Sequence, residues 1–151
     1  MTKIEIKHRY TGAVLFAHEA EDNTIAATLR AAVKADADLT GAYLDGANLA
    51  RANLARAYLT GADLTGAYLD GGAKVVSWPR AVLQVGPIGS RNDWLVVYRT
   101  DQGLRFDAGC QRQIDRETFE RRLQDAHGDR PHGQEYRAAL TFIDALGEIW
   151  K

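Results

Sequence analysis

The chain has little cysteine and no long apolar run. Its single cysteine, Cys110, cannot form an internal disulfide, which favours a reducing compartment. No apolar run approaches the ~20 residues that a membrane-spanning helix needs, and residues 1–10 lack the apolar core of a signal peptide. The sequence therefore predicts a cytoplasmic protein with no membrane partner.

The chain also lacks a strong charge of either sign. Its formal net charge is −1, which excludes a polyanion or a basic nucleic-acid-binding protein as a description of the whole molecule. The charge is nevertheless uneven, because residues 36–71 contain two basic and five acidic residues, a balance of −3. The middle of the chain is its acidic part.

This middle part is a repeat with a period of five. Seven consecutive units, without an insertion, cover residues 37–71: ADLTG, AYLDG, ANLAR, ANLAR, AYLTG, ADLTG and AYLDG. Every unit has alanine first and leucine third, and the leucines are Leu39, Leu44, Leu49, Leu54, Leu59, Leu64 and Leu69. This period fits neither an α-helix, at about 3.6 residues, nor a strand, at about two. It predicts a solenoid, in which each unit buries its apolar residues by stacking on its neighbours.

The seven units resemble the repeat of pentapeptide-repeat proteins, which is Ala-(Asp or Asn)-Leu followed by two variable residues. The resemblance implies a right-handed quadrilateral β-helix with four units per coil, in which the leucines and the alanines before them point inward. The expected fold is mainly β with helices. A solenoid of just under two coils (37–71) is capped by an N-terminal hairpin and helix (1–36) and followed by a C-terminal lobe (72–151) of three antiparallel strands and two helices.

The residues before the repeat predict a cap for the solenoid. Alternating apolar residues in 4–10 and a turn at Thr11-Gly12 indicate a hairpin, and Asp22-Asn23 is an expected N-cap for a helix over 24–34. Positions twenty residues apart should stack in adjacent coils. Lys34 and Lys74 therefore bound the solenoid, because each would bury an unpaired ammonium in the column of Leu54.

The residues after the repeat predict a meander and two helices. Extended segments over 75–85, 94–98 and 104–110 are separated by turn residues, and the first includes Trp78 and Pro79. Helices are expected over 116–127, capped by Asp115, and over 134–146. This lobe order and the link His127-Gly128-Asp129 resemble the tail of short pentapeptide-repeat proteins carried by bacteriophages.

No set of residues predicts catalysis, a metal or a cofactor. Cys110 with His127 and His132 lacks the paired spacing of a zinc site, and a cysteine at the end of an alternating strand is usually a small buried hydrophobe. His8 and His18 are expected at the surface or in a capping role. The repeat glycines fall at predicted corners and match no phosphate-loop motif. Four arginines near the first C-terminal helix alternate with acids, as on a solvated face: Arg112, Arg116, Arg121 and Arg122.

The outward positions of the repeat carry the candidate binding residues. They are acids and tyrosines at sheet spacing: Asp38, Tyr43, Asp45, Tyr58, Asp63, Tyr68 and Asp70. Such a surface could engage a basic protein groove, with the aromatic rings as anchors. The alternative is that these residues only solvate the β-helix, and the sequence leaves both open.

The leading functional hypothesis is a non-enzymatic inhibitor. It would act in the cytoplasm of an infected or lysogenic bacterium by binding a nucleic-acid-binding host defence complex, most specifically as an anti-CRISPR protein, without binding nucleic acid itself. The phage assignment is an expectation from resemblance. The alternatives are a DNA mimic acting on a topoisomerase such as gyrase, a structural or assembly protein, and a thiol or metal enzyme. A short repeat of charge −3 is a poor match to a duplex, which carries one charge per ~1.7 Å. The sequence does not distinguish a monomer from a dimer.

Overall fold

The computed structural model describes residues 1–52, 54–76 and 81–149. Within these ranges the fold is mixed, with β structure and helices, as the sequence predicts at this level. The elements in chain order are β1 (Thr2–Lys7), β2 (Val14–Ala20), α1 (Ile25–Lys34), a short 3-10 turn (Asp70–Gly72), β3 (Val82–Ile88), β4 (Asp93–Thr100), β5 (Gly103–Ala108), β6 (Gln111–Asp115), α2 (Arg116–His127) and α3 (Pro131–Ile149).

The predicted N-terminal hairpin and helix are confirmed, but the predicted helix cap is wrong. Strands β1 and β2 pair antiparallel. The N-cap of α1 is Thr24, whose hydroxyl accepts a hydrogen bond from the Ala27 N–H at 3.1 Å. Asn23 is unable to cap the helix because its amide donates to the His18 carbonyl, at 2.8 Å, and its oxygen accepts from Thr28. Its side chain thus ties the helix to β2.

The repeat segment (37–71) stacks on itself with a spacing of twenty residues. Parallel bridges join Asp38 to Tyr58, Tyr43 to Asp63 and Asn48 to Tyr68. Residues 37–56 are called the first row below, and residues 57–71 the second row. All seven leucines are buried, with at most 5% of any of them exposed. The predicted stacking interval and the inward direction of the leucines are therefore confirmed.

Five of the seven units of the repeat end in a glycine with a positive φ. The φ angles of these glycines are between 66° and 74°, a left-handed conformation that glycine adopts without steric cost: Gly41, Gly46, Gly61, Gly66 and Gly71. Arg51 occupies the equivalent position of its unit and has a φ of 68°. A side chain with a Cβ is thus held in a conformation that disfavours it.

The chain reverses direction at the end of the repeat. Lys74 pairs antiparallel with Tyr68, and the N–H of Val75 donates to the Ala67 carbonyl at 2.9 Å. Ala73 and Val75 are buried while Lys74 is exposed. The reversal keeps the ammonium in water, and residues 74–75 pair antiparallel with the second row instead of continuing the parallel stacking. The division of the chain at residues 36 and 71 stays a prediction.

The C-terminal sheet has four strands, not the predicted three. Its order is β3-β4-β5-β6, with antiparallel neighbours. The additional strand, β6, has the sequence QRQID, and its buried member Gln113 is polar, so no apolar alternation marks it. The start of the predicted first strand is also different, since Val75 bridges Thr100 rather than joining β3. Trp78 and Pro79 lie outside the described residues.

Both C-terminal helices form, and the second is longer than predicted. Helix α2 has Asp115 as N-cap and buries Phe119 and Leu123, as predicted. Helix α3 begins at Pro131 instead of 134, because proline is well tolerated in the first turn, where its missing N–H has no helical partner. Pro131 is thus the first residue of α3.

The four-stranded sheet separates two hydrophobic cores. Val96 and Tyr98 of β4 join the core of the repeat and the N-terminal elements. Leu95 and Val97, which point to the opposite face, pack with Phe106 against α2 and α3. Strand β4 is thus buried on both faces, and one side of the sheet lies against the repeat.

Candidate functional site

The three candidate tyrosines lie on three consecutive sides of the repeat segment. Each ring is about half exposed, at 53% for Tyr43, 49% for Tyr58 and 47% for Tyr68. Each is bridged to a short polar residue in the other row: Asp63, Asp38 and Asn48 respectively. The structure therefore places tyrosine and a polar partner side by side on each of these sides, as the sequence predicts.

On the first side, Asp38 is an exposed anion. Its Oδ1 atom accepts from the Thr40 hydroxyl at 2.6 Å and from the Thr40 N–H at 3.0 Å. These two hydrogen bonds, the hydroxyl first, lower the pKa of the Asp38 carboxyl. Among the described residues Asp38 forms no ion pair. Its charge next to the Tyr58 ring is available to a partner.

On the second side, Tyr43 and Asp45 form a pair. The Tyr43 hydroxyl donates to Asp45 Oδ2 at 3.2 Å, and this hydrogen bond, with the charge of Asp45, raises the pKa of Tyr43. Both side chains are exposed, and within the described ranges Asp45 has no cationic partner. The phenol is thus held neutral beside a carboxylate.

Asp63, on the same side as Tyr43, has a structural role. Burial disfavours its charge, but hydrogen bonds from the Thr65 hydroxyl and N–H and the charge of Arg9 outweigh burial and lower the pKa of Asp63. Arg9 Nη2 lies 3.5 Å from its carboxylate, and Arg9 Nη1 donates to the Gly61 carbonyl. Asp63 therefore holds the N-terminal hairpin against the repeat.

On the third side, the candidate residues are engaged by the rest of the chain. The Lys74 ammonium lies 5.7 Å from the centre of the Tyr68 ring. Asp70 accepts from the Arg51 N–H at 2.8 Å, and its carboxylate lies 4.0 Å from Arg112 Nε. The free part of the predicted surface is consequently smaller than the sequence indicates. We call its four residues the Tyr43–Tyr58 surface: Asp38, Tyr43, Asp45 and Tyr58.

Three buried or partly buried polar side chains of the C-terminal sheet complete the edge of the repeat. The first is Gln84 of β3, which acts like a peptide group of an additional row. Its Oε1 accepts from the Leu59 N–H at 3.0 Å, and its Nε2 donates to the Ala57 carbonyl at 2.6 Å. One amide thereby pairs a backbone donor and a backbone acceptor at the edge of the second row.

Gln113 of β6 has the same role on the neighbouring side. Its Nε2 donates to the carbonyls of Leu49, at 2.6 Å, and Ala52, at 3.0 Å, and its Oε1 accepts from the Asp70 N–H at 2.6 Å. Only 4% of Gln113 is exposed. The side chain joins both rows of the repeat to the sheet.

The third residue is Asp107 of β5, which is fully buried. One carboxylate oxygen accepts from the Leu54 N–H, at 3.0 Å, and from the Tyr98 hydroxyl, and the other accepts from the Gln113 N–H at 2.6 Å. Burial raises the pKa of Asp107 to about 6, although these three hydrogen bonds oppose the increase. The sequence does not predict the roles of these three residues, since a polar residue in a strand normally marks the solvent side.

The structure confirms the prediction for His8 and contradicts the one for Cys110. His8 has the predicted capping role, because its Nδ1 accepts from the N–H groups of Tyr10 and Thr11. Cys110 is exposed, so the prediction of a buried hydrophobe is wrong. It lies in the β5–β6 turn, outside the hydrogen-bonded strand. Within the described residues, no group of three or more His, Cys, Asp or Glu side chains is placed to hold a metal ion.

Comparison with known families supports the reading of the repeat. Residues 35–71 match a family model described as Pentapeptide repeats (8 copies). This segment is a pentapeptide repeat. The pentapeptide repeat thus coincides with the stacked rows and with the Tyr43–Tyr58 surface. No match was found among curated proteins or among solved structures. Across the described part of the chain, no helix combines the length and apolarity needed to cross a membrane.

Proposed function

We propose that the chain is a non-enzymatic protein-binding protein and that the Tyr43–Tyr58 surface makes the contact. The observation that carries this proposal is two carboxylates, Asp38 and Asp45, that form no ion pair within the described residues and lie beside half-exposed tyrosines. Tyrosine gives large contact area at a small cost in conformational entropy, and it is enriched in binding hot spots. The pentapeptide repeat holds these groups on hydrogen-bonded backbone, so little ordering is needed on binding.

We infer that the repeat is a short right-handed quadrilateral β-helix of just under two coils. The twenty-residue spacing of the parallel bridges supports four units per coil. A corner glycine with positive φ in five of the seven units supports a four-sided path. The hairpin at one edge and the C-terminal sheet at the other would then be caps that satisfy its exposed backbone groups.

The partner proposed is a protein with a basic, nucleic-acid-binding surface. The balance of −3 in residues 36–71 supports a cationic partner. The narrower proposal is an inhibitor of a bacterial defence complex, of the anti-CRISPR type, acting in the cytoplasm of an infected host. It rests on the resemblance of the flanking lobes to those of short phage-borne proteins. A gyrase-directed DNA mimic is less favoured, because Arg9 and Arg112 neutralise part of the acidic surface.

Two substitutions test the surface without disturbing the fold. Asp45→Lys reverses an exposed charge, and Tyr58→Ala removes an exposed ring, whereas reversal at Asp63 would also break its contact with Arg9. Asp125→Lys, on an exposed position of α2, is the matched control for charge. The partner is first captured from bacterial lysate with the wild-type chain and identified by mass spectrometry.

The affinity of the purified complex is then measured at several salt concentrations. We expect Asp45→Lys to weaken binding about tenfold or more and to make it less sensitive to salt. Tyr58→Ala should weaken binding at every salt concentration, and Asp125→Lys should leave it unchanged. Wild-type affinity for both surface variants would remove the Tyr43–Tyr58 surface from the proposal.

A further inference from the structure

A second surface feature lies far along the chain from the repeat, on the helical side of the sheet. It is a cavity of about 160 Å³ where the β3–β4 and β5–β6 turns meet helices α2 and α3. Polar and aromatic groups line it: Arg91, Cys110, Phe119, Arg122, His127 and Tyr136. A site needs only about 10–15 Å³ of such space to hold one water, so the cavity is large enough for a small anion.

The charged side chains that line this cavity are arginines, while the carboxylates of Asp93 and Glu135 lie outside it near Tyr136. No aspartate or glutamate is among its lining residues. Within the described ranges neither Arg91 nor Arg122 forms an ion pair, and Arg122 donates one hydrogen bond, to the Gln111 side chain. By contrast, Arg116 on the same helix pairs with Asp144 and Glu120. A guanidinium has five N–H donors, so most donors of both cavity arginines remain for a ligand.

Aromatic packing fixes the inner wall of the cavity. The Tyr136 ring meets Phe119 edge-on, with centroids 5.8 Å apart, and stacks on His127 at 6.2 Å. The hydroxyl of Tyr136 lies over Gly89, where a Cβ would come within 2.2 Å of it. The position of the imidazole is therefore set by its neighbours, and an imidazole N–H is a further hydrogen-bond donor in either tautomer.

We propose that this cavity is a binding site for a phosphate-like oxyanion, either free or as the phosphoryl end of a small molecule. Two arginines without carboxylate partners present planar, bidentate donors that match phosphate geometry. The histidine supplies a further donor, and the tyrosine ring forms one wall of the site. This site is separate from the Tyr43–Tyr58 surface, so either proposal can fail without the other.

Cys110 makes the proposal directly testable. It is the only cysteine of the chain, it is exposed, and it lines the cavity. The rate of its alkylation by iodoacetamide is measured with increasing inorganic phosphate or with a phosphomonoester, and with sodium chloride at the same ionic strength as the control. We expect saturable protection by at least one phosphate compound and none by chloride. The more effective compound identifies the source of the phosphoryl group.

Three variants separate the site from general charge effects. Arg91→Gln and Arg122→Gln should each raise the dissociation constant from the protection curve about 10- to 100-fold, the range for lost hydrogen bonds to a charged group. Arg121→Gln, at an exposed neighbouring position outside the cavity, should keep the wild-type constant. Circular dichroism confirms that each variant is folded. Absence of saturable protection, or the same constant in Arg122→Gln as in wild type, would overturn the proposal.

Discussion

Gln113 is the most informative single residue in the junction between the sheet and the repeat. Its side-chain amide contacts three backbone groups that belong to both rows of the repeat. We predict that Gln113→Ala strongly destabilises the protein, although the residue is polar and lies in a strand with no apolar pattern. The reason is that the substitution leaves backbone N–H and C=O groups away from water and without a hydrogen-bond partner.

The expected loss of stability depends on which backbone groups lose their only hydrogen-bond partner. The Leu49 carbonyl also accepts from the Ala52 N–H at 3.0 Å, so it stays paired after truncation. The Ala52 carbonyl and the Asp70 N–H have no other partner among the hydrogen bonds of the described residues. An unsatisfied buried group costs about 1–3 kcal/mol, so two of them cost about 2–6 kcal/mol before the cavity is counted. This is a large share of the ~5–15 kcal/mol that stabilises a typical domain.

Urea unfolding monitored by circular dichroism measures the effect. We expect the free energy of unfolding of Gln113→Ala to fall by about 2–6 kcal/mol. Gln102→Ala, an exposed glutamine in the β4–β5 turn, is the matched control and should stay within about 0.5 kcal/mol of wild type. A loss below about 1 kcal/mol for Gln113→Ala would contradict this prediction. It would mean that water replaces the side-chain amide as hydrogen-bond partner of the backbone groups at no cost.

Three further predictions concern pH, strain and the core. The pKa of Asp107 is raised to about 6, above its ordinary 3.8, so its stabilising contribution is complete below about pH 4 and is lost as pH rises through about 6. The stability advantage of wild type over Asp107→Asn should therefore shrink by about 2 kcal/mol between pH 4 and pH 7 in urea titrations. Arg51→Gly should raise the free energy of unfolding by about 0.5–1 kcal/mol, because glycine adopts the positive φ of this position without strain. Arg56 has no positive φ and pairs with Asp93, so the control Arg56→Gly should lower the free energy of unfolding. Equal effects of the two substitutions would contradict the prediction of strain at Arg51. Leu64→Asp places an unpaired charge at a position that is 2% exposed and should unfold the protein in thermal melts, while Thr60→Asp, on the outside, should melt near wild type.

The repeat could be predicted from the sequence because its signal is local and periodic. Alanine and leucine recur at fixed positions, and their burial at an interval of twenty residues needs no knowledge of the rest of the chain. Helix α2 could also be predicted from the sequence, since Asp115 and Gly128 mark its two ends. In these elements the residues that define the structure are also neighbours in the sequence.

The polar contacts between segments could not be predicted, because their partners are distant in the chain. Asp107 and Gln84 are on strands whose alternation marks polar residues as solvent-facing, yet they hydrogen-bond the backbone of Leu54 and Leu59. The extent of the candidate surface could not be predicted for the same reason. Nothing in the sequence near Asp63 indicates that Arg9 pairs with it, so the free acidic surface is smaller than the repeat alone predicts.

Site-specific photo-crosslinking can show whether the Tyr43–Tyr58 surface contacts a nucleic-acid-binding protein. The photoreactive residue p-benzoylphenylalanine is placed at Tyr58 in one variant and, as the control, at Tyr10, which is 80% exposed but lies at the tip of the hairpin. We expect a crosslink from position 58 to a nucleic-acid-binding protein and no such crosslink from position 10. The yield of the crosslink from position 58 should decrease when DNA or RNA is added. A partner that crosslinks from position 10 and not from position 58 would contradict the proposed contact.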